Sequence, residues 1–150
     1  MTLRDYVSSR VHGAYHDQDT PCAATALRIL GEIFEQDIHE QVLQAAWGLN
    51  GAGKHGDQCA LVEGTLMLLG LLGHRRGLSQ EELYLVCREY AQAYTGRFGS
   101  LLCRELRPGG FNDSDPPHLC EAMSVDAIVL ATNFITAQFE LEPRLSHGAV

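Results

Sequence analysis

The chain has 150 residues, 45% of them apolar, and a formal charge of −8 from 19 acids against 11 bases. That length and apolar content suffice for one domain with a real core, whereas the acidic balance gives no basic surface to grip a phosphate backbone, so nucleic-acid binding is excluded. The longest apolar run, Leu66 to Leu72, is far shorter than the roughly 20 residues of a membrane span, and the opening residues lack the apolar segment of a secretion signal.

Strand signals are nearly absent, and helix signals recur with clear punctuation. A first helix is predicted over Leu3 to His16. Asp19-Thr20-Pro21 supplies a cap and a first-turn proline for a second, reaching Phe34. A short helix from Ile38 to Trp47 leads into a glycine-rich loop, Gly48 to Gly56. Asp57 is expected to cap a very apolar, central helix over Gln58 to Leu72. After a turn at Gly73 to Gly77, Ser79-Gln80-Glu81-Glu82 is a capping box opening a helix that ends near Gly96. Ser100 caps a short helix through Leu106. A loop, Pro108 to Asp115, precedes a final amphipathic helix from Pro116 or Pro117 to Leu141. The expected fold is all-α, one domain over residues 1–150, a bundle of six or seven helices.

Four of the five cysteines, Cys22, Cys59, Cys103 and Cys120, fall near predicted helix starts. A helix N-terminus carries partial positive charge and unsatisfied N–H groups, which favour a thiolate over a thiol. Three of them head apolar stripes: Cys22-Ala26-Ile29-Ile33, Cys59-Val62-Leu66-Leu69 and Cys120-Met123-Ala127-Leu130-Phe134. The cysteines are therefore expected on the core side of helix ends, where convergence would make a pocket of thiols. Free cysteine also packs as a small hydrophobe, and Cys87, mid-helix on Leu83-Val86-Cys87-Tyr90-Tyr94, has that role. The four are 37, 44 and 17 residues apart, so no close pair of the structural-zinc type exists.

Cys22, the segment Cys59-Ala60-Leu61-Val62-Glu63-Gly64, the segment Phe98-Gly99-Ser100-Leu101-Leu102-Cys103-Arg104-Glu105-Leu106, and Cys120 together resemble the four-cysteine C_GCAxxG_C_C family of redox-active proteins. The resemblance covers nearly the whole chain and implies that Cys22, Cys59, Cys103 and Cys120 are the functional set. The central motif departs from the family: Ala60 stands in place of glycine and Leu61 in place of alanine, which adds a side chain beside Cys59.

Cationic or protonatable residues accompany each cysteine: His16, Lys54 and His55, Arg104, and His118. His55, His118 and Arg104 are candidate partners that would lower a thiol pKa, and Glu63, one turn beyond Cys59, is a candidate proton acceptor. Gly48 to His55 imitates a phosphate loop, but His55 replaces the magnesium-binding Ser/Thr and no strand precedes it. Its glycines are expected to let the loop pass close to Cys59.

The leading reading is a small cytoplasmic protein cycling a dithiol and a disulfide, with Cys59 attacking, one of the other three resolving, and an unidentified redox partner. A second reading has the same four thiolates holding an iron–sulfur cluster or another soft metal ion. A third is a non-catalytic all-α interaction protein, whose long last helix could form a homodimer seam.

Overall fold

The computed structural model describes residues 1–146. Seven helices make up the described chain: α1 (Leu3–His12), α2 (Cys22–Ile33), α3 (Glu40–Ala45), α4 (Ala60–Arg75), α5 (Gln80–Phe98), α6 (Cys103–Leu106) and α7 (Glu121–Phe139). A π turn, Gly13–Asp17, extends α1, and a 3-10 turn, Ala46–Leu49, follows α3. The segment Gly51–Lys54 is a tight coil in which Ala52 and Gly53 take left-handed backbone angles. There is no strand among the described residues, and the fold is all-α as expected.

Two helix starts follow directly from local chemistry. Thr2 with Asp5, and Ser79 with Glu82, form reciprocal capping boxes that satisfy orphan N–H groups at α1 and α5. Gly99, at φ 89°, ends α5 in the left-handed conformation that glycine adopts without strain. The helix therefore runs past Gly96, where the sequence placed its end.

The bundle is organised around α4, which packs most extensively against α2 and also contacts α5 and α7. Leu61, Val62, Leu68, Leu69 and Leu72 of α4 are all fully buried with Leu27, Leu30 and Ile33 of α2 and Ile128 and Ile135 of α7. The α2–α4 crossing is close because of Gly64: a Cβ there would lie 2.4 Å from the Ala23 carbonyl oxygen. Ala23, Ala24, Ala46 and Ala60 form a small-residue cluster at the same crossing. Close approach of the two axes brings their N-terminal ends, and thus Cys22 and Cys59, to the same end of the bundle.

Several boundaries differ from expectation. Helix α4 continues to Arg75 because Gly73 is buried inside it, where a Cβ would meet Leu83 at 2.8 Å. The last helix begins at Glu121, not at the prolines, since the chain turns through His118 at φ 63°. It is about 28 Å long at 1.5 Å per residue, and its buried face is Ser124, Val125, Ile128, Ala131, Thr132, Ile135 and Phe139. That face is covered by α1, α2, α4 and α5. This helix alone, among the described residues, is long and apolar enough to cross a membrane. The segment after it returns to α2, where the Arg144 N–H donates to the Ile33 carbonyl at 2.8 Å.

Candidate functional site

Each of the four cysteines stands at a helix threshold, closer than the sequence placed it. Cys59 and Cys120 are the N-cap residues of α4 and α7, and Cys22 and Cys103 are the first residues of α2 and α6. Thr20, Asp57 and Ser100 do not cap these helices; Pro21, Cys59 and Leu102 occupy the cap positions instead. The reason is tertiary. Gln58 and Leu102 form an isolated antiparallel bridge, which holds residues 57–59 extended until Cys59. Around it the Cys59 N–H donates to the Leu101 carbonyl and the Cys103 N–H to the Asp57 carbonyl, both at 2.7 Å. Side chains alternate across extended backbone, so Cys59 and Cys103 project from the same face of this bridge, diagonally across it.

The glycine-rich loop lies against Cys103, not Cys59. A Cβ at Gly51 would sit 3.3 Å from the Cys103 Cβ and 3.4 Å from its Sγ. At φ 60° Gly51 also accepts, through its carbonyl, N–H bonds from Gly56 at 3.0 Å and Asp57 at 3.4 Å. The loop is thus a fitted wall of the site.

The four thiols form one electrostatic group. Burial pushes the Cys103 thiol up to about 11, with repulsion from Cys59 and then Cys22 adding to it. Burial likewise pushes Cys120 up to about 12, with Cys22, Cys103 and Cys59 contributing. The Cys22 thiol is also raised by burial, an effect the Tyr15 hydroxyl opposes and Cys59 reinforces. Cys87 is raised by burial alone, which sets it apart from the group. Burial and repulsion from neighbouring thiols thus raise Cys22, Cys103 and Cys120, opposite in direction to the lowering expected at helix N-termini. All five cysteines are free.

Two tyrosines and one arginine complete the site, and none was singled out from the sequence. The Tyr94 hydroxyl, from α5, lies 3.4 Å from Cys59 Sγ. Burial and then the neighbouring Cys59 hold that phenol far above its ordinary range, so it stays protonated and can donate to sulfur. Tyr15 is buried beside Cys22, and its hydroxyl is 2.7 Å from Ser124 Oγ, which in turn donates to the Cys120 carbonyl at 2.9 Å. Arg107, one turn beyond Cys103, is the cation that favours the thiolate forms of Cys22, Cys103 and Cys120. Its side chain is only 18% exposed, stacks 4.7 Å over the Phe111 ring, and carries a buried Nε without a hydrogen-bond partner. The i, i+4 spacing from Cys103 was the signal available for it; nothing local marked the tyrosines, which pattern as core.

The four supporting residues expected from the sequence are dispersed. His55 and Arg104 are exposed and flank Asp57, at 2.8 Å and 3.7 Å from its carboxylate. His118 stacks on Tyr15 with ring centroids 4.3 Å apart, and its Nε2 bonds Asp19 at 2.6 Å. It therefore buttresses the tyrosine beside Cys22. Glu63 is half-buried on α4, and burial raises its carboxyl pKa.

Ala60 is buried among Ala23, Ala24 and Ala46, so the methyl that replaces the motif glycine fills the helix crossing. The motif's surviving glycine, Gly64, is the residue that the crossing requires. No curated protein and no solved structure matches the chain. A family model described as "Putative redox-active protein (C_GCAxxG_C_C)" matches residues 20–134, and the chain belongs to that family.

Proposed function

We propose that this protein is a thiol–disulfide redox protein in which Cys59 attacks and Cys103 resolves. The observation that carries the reading is the pairing of their segments: both cysteines project from one face of the Gln58–Leu102 bridge.

The substrate class is a protein or small-molecule disulfide. The Cys59 thiolate, accepting a hydrogen bond from the Tyr94 hydroxyl, attacks one sulfur of that disulfide, and the other leaves as a thiolate. The Cys103 thiol loses its proton to solvent, with Arg107 favouring the anion, and attacks Cys59 Sγ. The mixed disulfide breaks, the partner departs with both sulfurs reduced, and an intramolecular disulfide remains. Two electrons have passed from this chain to the partner. A cytoplasmic setting, with its reduced thiol pool, suits thiols that must remain available.

The test is titration of free thiols after mild oxidation, with mapping of the disulfide formed. Cys59→Ser is expected to abolish reversible oxidation, and Cys103→Ser to trap mixed disulfides on Cys59. Unchanged reversible oxidation in Cys59→Ser overturns the assignment.

One observation favours a second reading. Burial and the neighbouring thiols raise the pKa of Cys22, Cys103 and Cys120, a cost that a bound iron–sulfur cluster or soft metal ion would relieve. Visible bands in anaerobically prepared protein that bleach with dithionite would establish that reading in place of the dithiol cycle.

A further inference from the structure

Three side chains that the redox reading does not use converge at the protein surface. His12 ends α1, and the chain continues through the π turn Gly13–Asp17. This wider winding, in which N–H groups bond five residues back, is frequent at functional sites. It keeps His12 and His16 on one face with ring centroids 4.4 Å apart. Glu121, more than 100 positions later and the first residue of α7, reaches both rings: His12 Nδ1 is 3.0 Å from Oε1, and His16 Nε2 is 2.7 Å from Oε2.

We propose that His12, His16 and Glu121 form a binding site for a divalent d-block cation of the zinc class. One donor atom from each lies within 4.8 Å of the other two, and this is the one such group among the described residues. Two imidazoles and one carboxylate are the borderline donors that suit zinc, whereas calcium and magnesium take oxygen ligands. Zinc-to-ligand bonds place tetrahedral donors ~3.3 Å apart, so donors already within 4.8 Å of one another reach that spacing by side-chain rotation without moving the helices. His12 is 66% exposed and His16 47%, which gives the ion an open approach and leaves a position for water. The site is separate from the thiols in chemistry but not in structure, because Glu121 directly follows Cys120. An ion held there ties the start of α7 to the end of α1.

The experiment uses the full-length reduced chain, whose thiols can also take zinc, so the readout must be residue-specific. Zinc chloride is titrated into nitrogen-15-labelled protein while the ring nitrogens of His12 and His16 are followed by NMR. Both rings are expected to shift to a saturating endpoint. By calorimetry, His16→Gln is expected to bind one zinc fewer than the parent, or to bind it at least about 10-fold more weakly, and Glu121→Gln to weaken the same site to a similar degree. Rings that stay unshifted at millimolar zinc, or identical stoichiometry and affinity in both variants, overturn the proposal. Because the ring signals are read in the unaltered protein, a variant that folds poorly leaves the test intact.

Discussion

The Tyr94 hydroxyl lies 3.4 Å from Cys59 Sγ, on the buried face of α5, with Tyr90 and Phe98 packed against the same ring. Among the described residues Tyr94 has no other side-chain hydrogen-bond partner that would divert its proton, and its depth keeps the phenol protonated. A protonated phenol facing a sulfur at the start of α4 stabilises the thiolate whenever it forms. A hydrogen bond to a charged group contributes about 1.5–3 kcal/mol. Tyr94→Phe is therefore expected to slow alkylation of Cys59 by roughly 10-fold or more, with helical circular dichroism unchanged. Equal alkylation rates would remove Tyr94 from the site's chemistry.

Gly64 and Gly70 lie on the same helix and should respond in opposite directions. A methyl at Gly64 meets the Ala23 backbone, which has no flexible end to give way, while Gly70 faces open space. Gly64→Ala is expected to destabilise by about 3 kcal/mol, through overpacking that pushes α2 from α4. Gly70→Ala is expected to stabilise by about 0.5–1 kcal/mol, since alanine loses less backbone entropy in a helix. Denaturant unfolding measures both, and a neutral Gly64→Ala would show that the crossing is looser than described.

Alkaline stability follows from the raised thiols. Cys103 and Cys120 move from the ordinary value of 9.0 to about 11 and about 12 in the folded chain. Between pH 9 and 12 the folded state therefore holds protons that the unfolded state has released, and the slope of stability with pH is negative. The contribution is fully present below pH 9 and is lost as pH rises through the folded values. Replacing both residues by serine should flatten this part of the profile relative to the parent. Parallel profiles would mean that burial in the folded chain does not raise these thiols.

Arg107 is the cation that three of the cysteines share. Arg107→Gln keeps much of the side chain's length but removes the charge, so the thiols of Cys22, Cys103 and Cys120 should titrate at still higher pH. Mass-spectrometric alkylation rates at pH 8.5 are expected to fall several-fold at Cys103 and Cys120 and to stay constant at Cys87. An equal change at Cys87 would signal unfolding instead. Arg104→Gln, on the exposed rim beside Asp57, should leave these rates unaltered.

The sequence by itself determined the helices, the all-α class and the family, because these rest on information a few residues wide. Capping boxes at Thr2 and Ser79, the apolar run of α4 and the spacing of four cysteines are all local or ordinal patterns. Tertiary structure decided which groups meet. The Gln58–Leu102 bridge, between segments more than 40 residues apart, overrode the capping tendency of Asp57 and brought Cys103 beside Cys59. It also turned Arg104 to the rim and Arg107 inward, although both lie within a turn of Cys103. The protonation state of the site was the least legible quantity of all. A helix N-terminus favours a thiolate and can be read from sequence, but the opposing costs of burial and of like charges gathered from four segments exist only once the chain has folded.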